Sequence, residues 1–344
     1  MACLPIALLL IAVLAWLTNH ADPARASLRW FRYVIAAEVV LGIVVAGFGF
    51  IYENVSAARA SRRYPAPGKL VDVGGYRLHL DCAGQGTPTV VLIYGMSGSY
   101  LDWFWVQPDI AKFTRVCSYD RPGYGWSELS TKPRLASVAA EELHTLLVNA
   151  GEKPPFILVG HSLGGFDALM YAHKFAGEVS GVVLIDAAHP DWNLGFSADE
   201  RRRLRFLQFS APFGIPRWRK WCVQGPPVLA VRKAAFNCQS HIFKANYELW
   251  DAYPQSAREI RALGSLGTLP LVVISRDPDR GARNVDSERR WAQLQENLAG
   301  LSSNSTHVVA KGIGHAIPLD NPNIVVEQTR KLVERLRAEA TQGR

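Results

Sequence analysis

Gly160-His161-Ser162-Leu163-Gly164-Gly165 follows the apolar run at 156–159 (FILV) and opens a second apolar stretch that continues to residue 175. The first run has the length and composition of a buried strand, and the second has the length of a helix. A G-x-S-x-G pattern between the two puts its serine on a sharp strand-to-helix turn, where the backbone is strained and the hydroxyl is exposed. The flanking glycines let neighbouring backbone pass close by, and the helix that follows aims its positive N-terminal end at the turn. Ser162 is therefore a candidate nucleophile, and the fold is read outward from it.

On both sides of this turn, strands and helices alternate. Runs rich in Val, Ile and Leu at 70–73, 77–81, 89–94, 115–119, 156–159, 182–186, 271–275 and 306–310 read as strands. Several are continuously apolar, the pattern of strands covered on both faces. Helical stretches at 138–149, 163–175, 288–301 and 323–340 separate most of them. This alternation predicts an α/β class chain with a mostly parallel sheet of eight strands wrapped by helices. The interval of about 190–268 breaks the rhythm with helical, aromatic and basic segments. It is too long for a structureless loop, and it reads as a helical cap over the sheet edge where open α/β sheets bind ligands.

The start of the chain has a different composition. The run at 33–52 is long enough to cross a hydrocarbon core as a helix, and Glu38 is its only charge. A shorter run at 4–17 lacks the basic segment of a signal peptide. Residues 1–60 thus read as a membrane leader with one or two transmembrane helices, 61–68 as a linker, and 69–344 as one domain. Arginines at 25, 29 and 32 balance those at 59, 62 and 63, which leaves the orientation of the leader open. The formal charge of +8 from 38 Lys and Arg against 30 Asp and Glu is concentrated beside the leader and in the cap. With no zinc-finger spacing and no RNP-like aromatic motif, that distribution favours a membrane over nucleic acid as partner. Cys82, Cys117, Cys222 and Cys238 lie outside the leader. They permit two disulfides, which would put the domain on the extracytoplasmic side, or they are small buried thiols.

Three further segments stand in a telling order around Ser162. Tyr94-Gly95-Met96 closes a strand; Asp120-Arg121-Pro122-Gly123-Tyr124-Gly125-Trp126-Ser127 follows the next; Gly314-His315 lies between the last strand and the last helix. With the serine turn, these resemble the α/β-hydrolase superfamily from about Lys69 onward. The first is similar to the family's His-Gly-x oxyanion segment, with Tyr94 where histidine is common. The second is similar to its D-x-x-G-x-G-x-S turn, and the third to its catalytic histidine position. The resemblance implies a strand order that sets Cys82 and Cys117 face to face. It also implies His315 as general base, and the backbone N–H groups of Met96 and Leu163 as an oxyanion hole. A serine hydroxyl needs such a base near neutral pH.

Two positions compete for the triad acid. The loop after the seventh strand offers Asp279, with Asp277 beside it, and the end of the sixth offers Asp186 within Asp186-Ala187-Ala188-His189-Pro190. The resemblance to membrane-leader hydrolases that carry a similar Asp-Ala-x-His-Pro segment favours Asp186. A serine nucleophile argues against the aspartate chemistry of haloalkane dehalogenases and epoxide hydrolases. It leads to the expectation of a serine hydrolase that cleaves an ester or related acyl bond, the alternative being an inactive binding or signalling module on the same fold. Trp192, Trp218, Trp221 and Trp250 in the cap suggest an apolar acyl substrate that arrives from the membrane side. No metal cluster or dinucleotide loop is present in the sequence, so no cofactor is expected.

Overall fold

The computed structural model describes residues 26–192, 197–223, 226–279 and 284–342. The expected leader run at 4–17 lies outside them. Eight strands form one sheet: β1 (Lys69–Asp72), β2 (Arg77–Ala83), β3 (Thr89–Ile93), β4 (Val116–Tyr119), β5 (Phe156–His161), β6 (Val179–Ile185), β7 (Leu271–Arg276) and β8 (Ser305–Ala310). Their order is β1-β2-β4-β3-β5-β6-β7-β8. β2 runs antiparallel to both of its neighbours, while β4, β3, β5, β6, β7 and β8 are mutually parallel.

Parallel neighbours need long crossovers, and helices supply them: α2 (Ala136–Ala150), α3 (Gly164–Lys174), α7 (Val285–Ala299) and α8 (Pro322–Gln342). They sandwich the sheet, so every residue of β3 is buried and β5 is buried until its last residue, His161. One continuous apolar core results. The chain steps from β3 outward to β4, then returns to the far side of β3 with β5. The strand order therefore reverses at β3, and a crevice opens there at the carboxyl ends of the strands. The turns after β3 and β5, which hold Met96 and Ser162, lie at that point.

Ahead of the sheet stands α1 (Ala26–Arg63), an apolar helix long enough to cross a membrane. It extends past the 33–52 run and takes in residues 61–63, which the sequence reading assigned to a linker. Ala57, Ala58 and Ala60 are strong helix formers, and the helix ends just before Pro65, which disfavours helical backbone at the residue preceding it. Toward the C-terminal end of α1 one face is covered. Ala46, Gly49, Ser56, Ala57 and Ala60 are half-buried and Glu53 is buried, a spacing of three and four that defines a single helical stripe.

The cap covers that stripe. It comprises α4 (Ala198–Ser210), α5 (Pro227–Asn237) and α6 (Ser240–Arg261), with a tight connection through Ala211–Phe213 and Ile215–Trp218. α4 begins with a reciprocal cap in which Ser197 and Glu200 satisfy each other's backbone N–H groups. Two disulfides are formed. Cys82–Cys117 links directly opposed residues of β2 and β4, and Cys222–Cys238 closes a buried corner of the cap.

Candidate active site

Ser162 adopts a left-handed backbone, φ 52°, between β5 and α3. A side chain rarely tolerates this region, and the strain is held by the packing around it. The serine N–H donates to the Ile185 carbonyl at 3.0 Å, and the serine carbonyl accepts from Gly165 and Ala188. Small residues are compulsory here for steric reasons. A Cβ on Gly160 would lie 2.6 Å from the Gly164 carbonyl oxygen, and one on Gly95 would lie 2.8 Å from the Ser162 Cβ. Gly95 thereby lets the turn after β3 close onto the serine.

His315 comes from the segment between β8 and α8. Its Nε2 lies 3.0 Å from the Ser162 hydroxyl, and its Nδ1 lies 2.5 Å from Oδ2 of Asp186. The structure thus brings Ser162, His315 and Asp186 into one hydrogen-bonded chain. Asp186 follows β6 with a second left-handed backbone, φ 41°, and its side chain is fully buried. Trp291 Nε1 donates to Oδ1 at 2.7 Å, the Arg276 N–H donates to Oδ1, and the Arg276 guanidinium donates to Oδ2. Burial alone would raise the Asp186 pKa. The hydrogen bond and charge of His315, followed by Arg276 and Trp291, outweigh it and hold the carboxyl below its ordinary range. The carboxylate stays ionised and oriented toward the imidazole.

The competing acids are placed elsewhere. Asp277 accepts from the backbone N–H groups of Gly312 and Asp279 at 2.8 and 3.1 Å, so its carboxylate holds two turns together. Asp279 is exposed. The sequence did not single out Arg276 or Trp291 as partners of the acid. Arg276 is also held by Glu288 of α7 through two hydrogen bonds, and its guanidinium lies 4.4 Å from the Trp291 ring centroid. Trp192, grouped by the sequence reading with the other cap tryptophans, packs edge-on against Trp291 instead.

Among the described residues, the N–H groups of Met96 and Leu163 donate to no intramolecular acceptor. The turn that carries Met96 is braced from below. Arg121 donates to the Gly95 carbonyl at 3.2 Å and forms a buried ion pair with Asp167 of α3 at 2.6 Å. Its own N–H donates to the Tyr94 hydroxyl, and its guanidinium lies over the Tyr94 ring. Fixing the Gly95 carbonyl fixes the whole Gly95–Met96 peptide plane, and with it the direction of the Met96 N–H. Tyr94 and Arg121, read only as parts of motifs, are in fact two parts of one support.

The His161 side chain, next to Ser162 in the chain, makes no hydrogen bond to it. Its Nε2 donates to the His315 carbonyl at 2.9 Å. Burial and the nearby His315 push its pKa down to about 4, so it remains neutral beside the hydrogen-bonded chain.

The pattern of the alpha/beta hydrolase family matches residues 90–328, a span that includes all the groups just described. The chain belongs to the alpha/beta hydrolase family. It is a hydrolase-fold protein with an apolar helix at its N-terminal side. Among similar curated proteins, the uncharacterized protein YbdG of Bacillus subtilis is 27% identical over 203 residues, which are 58% of this chain and 62% of YbdG. The uncharacterized protein YqjL of the same organism is 27% identical over 243 residues, 70% of this chain and 82% of YqjL. The match therefore spans less than two thirds of YbdG. A thermophilic esterase from Thermogutta terrifontis has the same fold, with a TM-score of 0.56, 21% identity, and coverage of 78% of this chain and 98% of that one.

Proposed function

We propose that this protein is a membrane-anchored serine hydrolase that cleaves a carboxylic ester or related acyl bond through Ser162, His315 and Asp186. The observation that carries this reading is the continuous path from the serine hydroxyl through both imidazole nitrogens to a buried carboxylate, at 3.0 and 2.5 Å. His315 Nε2 takes the hydroxyl proton as Ser162 Oγ attacks the acyl carbon. Asp186 stabilises the imidazolium and fixes its tautomer. The oxyanion that forms accepts hydrogen bonds from the unpaired N–H groups of Met96 and Leu163. The protonated His315 then gives its proton to the leaving alkoxide as the acyl-enzyme forms. A water deprotonated by the same imidazole attacks the acyl-enzyme, and Ser162 recovers its proton. Aspartate-nucleophile reactions of this fold do not suit a serine at the elbow.

α1 supports the membrane part of the reading by its length and by its exposed apolar surface. Two disulfides support an oxidising, extracytoplasmic side for the domain. The test is fluorophosphonate labelling of the full chain, with turnover of short- and long-acyl nitrophenyl esters. Labelling and turnover should both vanish in Ser162→Ala. A folded wild type that neither labels nor hydrolyses any ester would remove the enzyme reading and leave a binding module on the same fold.

A further inference from the structure

The cap does not simply sit over the sheet; it is docked on α1, and the height of that dock is readable. A Cβ on Gly49 would strike the backbone of Phe213, and one on Gly214 would lie 2.8 Å from the Tyr52 ring. Glu53, buried, forms two hydrogen bonds with Arg217 at 2.7 and 3.0 Å. The 213–217 connection is thus fixed against residues 49–53, where the apolar run of α1 ends. If that run fills the hydrocarbon layer up to Tyr52, Phe213 lies about 4–5 Å inside its boundary, at 1.5 Å of rise per residue.

The side chains around this connection suit that depth. Phe209 is 74% exposed and Trp218 71% exposed, with Phe206 and Trp221 also open to the outside. Phe206 and Phe209 share one face of α4, three residues apart. Arg219 lies over the rings of Trp218 and Trp221, at 5.9 and 5.5 Å. Neither Arg219 nor Lys220 has a carboxylate partner among the described residues. Exposed aromatic rings beside unpaired cations form a poor surface in water and a good one at the level of lipid headgroups.

Two of these side chains, Phe206 and Trp221, also border a cavity of about 590 Å³ beneath the cap. Leu204, Phe206, Leu207 and Trp221 line it together with the charged Glu200 and Arg203, and so do Asn246 and Ser97, which directly follows Met96. The Ser97 hydroxyl donates to the Asn246 side chain at 2.8 Å. The cavity is therefore bordered both by exposed aromatic residues of the cap and by the turn that carries Met96.

We propose that this aromatic and basic face of the cap is seated in the interface of the bilayer that α1 crosses. The cap cavity then opens to lipid rather than to water, and the substrate is a bilayer-resident amphiphile whose acyl chain occupies the cavity. This rests on the membrane-anchored hydrolase reading and names its substrate class.

The test uses the full chain in phosphatidylcholine vesicles, with Cys3→Ser and the two disulfides intact. A nitroxide is attached in turn at Phe209→Cys, Trp218→Cys, Val40→Cys in the middle of α1, and Lys153→Cys at an exposed position just before β5, at the amino ends of the parallel strands. Labels at 209, 218 and 40 should be reached by oxygen in preference to a water-soluble nickel chelate, and the label at 153 should show the reverse. Labels at 209 and 218 that behave like 153, with 40 still in lipid, would overturn the docking while leaving the anchor. If the label at 40 also behaves like 153, the anchor falls and the docking with it.

A second measurement reads the function. Phe209→Asp combined with Trp218→Asp should lower turnover of a long-chain ester held in the vesicles by about tenfold or more. Turnover of a soluble short-chain ester should stay within about twofold, since neither residue lines the cavity. Equal losses on both esters would overturn the lipid-facing opening. A wild type that hydrolyses neither ester removes the hydrolase reading, and the label depths still decide whether the cap is seated in lipid.

Discussion

Among the described residues, two pairs of aspartate and histidine are joined carboxylate to imidazole by a hydrogen bond, and they are built for opposite ends. His79 of β2 meets Asp120 at 2.8 Å, and both side chains are fully buried. The second ring nitrogen of His79 lies 2.6 Å from the Pro67 carbonyl, and Asp120 also accepts from the N–H groups of Tyr100 and Trp126. Every polar atom of that pair is occupied by a fixed partner. Asp186 is just as buried and just as thoroughly bonded, yet the His315 side chain is 46% exposed and its free nitrogen faces a serine hydroxyl. The difference lies in the histidine alone. An imidazole between two fixed partners is a strut, whereas one with a single fixed partner and a hydroxyl at its other nitrogen can pass a proton.

The largest effect tests the mobile pair. Asp186→Asn keeps the shape of the side chain but removes the charge and the acceptor that select the His315 tautomer. We expect kcat/KM to fall by about 10⁴-fold, the scale on which this substitution acts in serine triads. Asp279→Asn should change kcat/KM by less than about twofold, because its carboxylate is exposed and reaches no part of the hydrogen-bonded chain. A larger loss at Asp279 than at Asp186 would reverse the roles.

The next effect tests the strut. Asp120→Asn leaves His79 without a charged partner in a closed environment, and it gives the Tyr100 and Trp126 N–H groups only one oxygen to share. Removal of one member of a buried pair costs on the order of 3–5 kcal/mol. Urea unfolding should show that loss, while kcat/KM of the fraction that remains folded stays close to wild type. If stability were unchanged and activity fell instead, the two pairs would not be separate devices.

What could be read from sequence follows the reach of local pattern. The sheet, the serine turn and the histidine before α8 each carry their signal within a few residues: a buried run, two close-packed glycines, a Gly-His step. The carboxylate could not be chosen that way. Asp186 and Asp279 are both aspartates after apolar strands, and they differ in Trp291 and Arg276, which lie about 105 and 90 positions from Asp186. The dock of the cap on α1 was equally hidden. Glu53 and Arg217 are separated by 164 positions, and each reads alone as an ordinary surface charge. The helical continuation through residues 61–63 was obscured for a simpler reason, since charge and a nearby proline mask a helix that a packed partner extends.

The smallest effect separates the pairs by pH. Burial alone would lower the pKa of His79. The hydrogen bond and charge of Asp120, with the Pro67 carbonyl, outweigh it and raise the folded value above the ordinary imidazole value. A raised folded value means that the pair's contribution is complete below the unfolded value of about 6.5. Above it the native state holds more protons than the unfolded chain, so stability falls as pH rises through the folded value, by at most about 1.4 kcal/mol per pH unit. Asp186 carries the opposite sign. Its folded value is depressed, so its contribution is present above the ordinary carboxylate range and is lost as pH falls through the folded value. Urea stability measured between pH 6 and 9 should therefore decline more steeply in wild type than in His79→Gln, while Asp186→Asn changes the acid side of the curve and leaves that decline intact. Parallel curves for wild type and His79→Gln over that range would mean that the buried imidazole carries no proton, and that the strut is held by a neutral hydrogen bond rather than by charge.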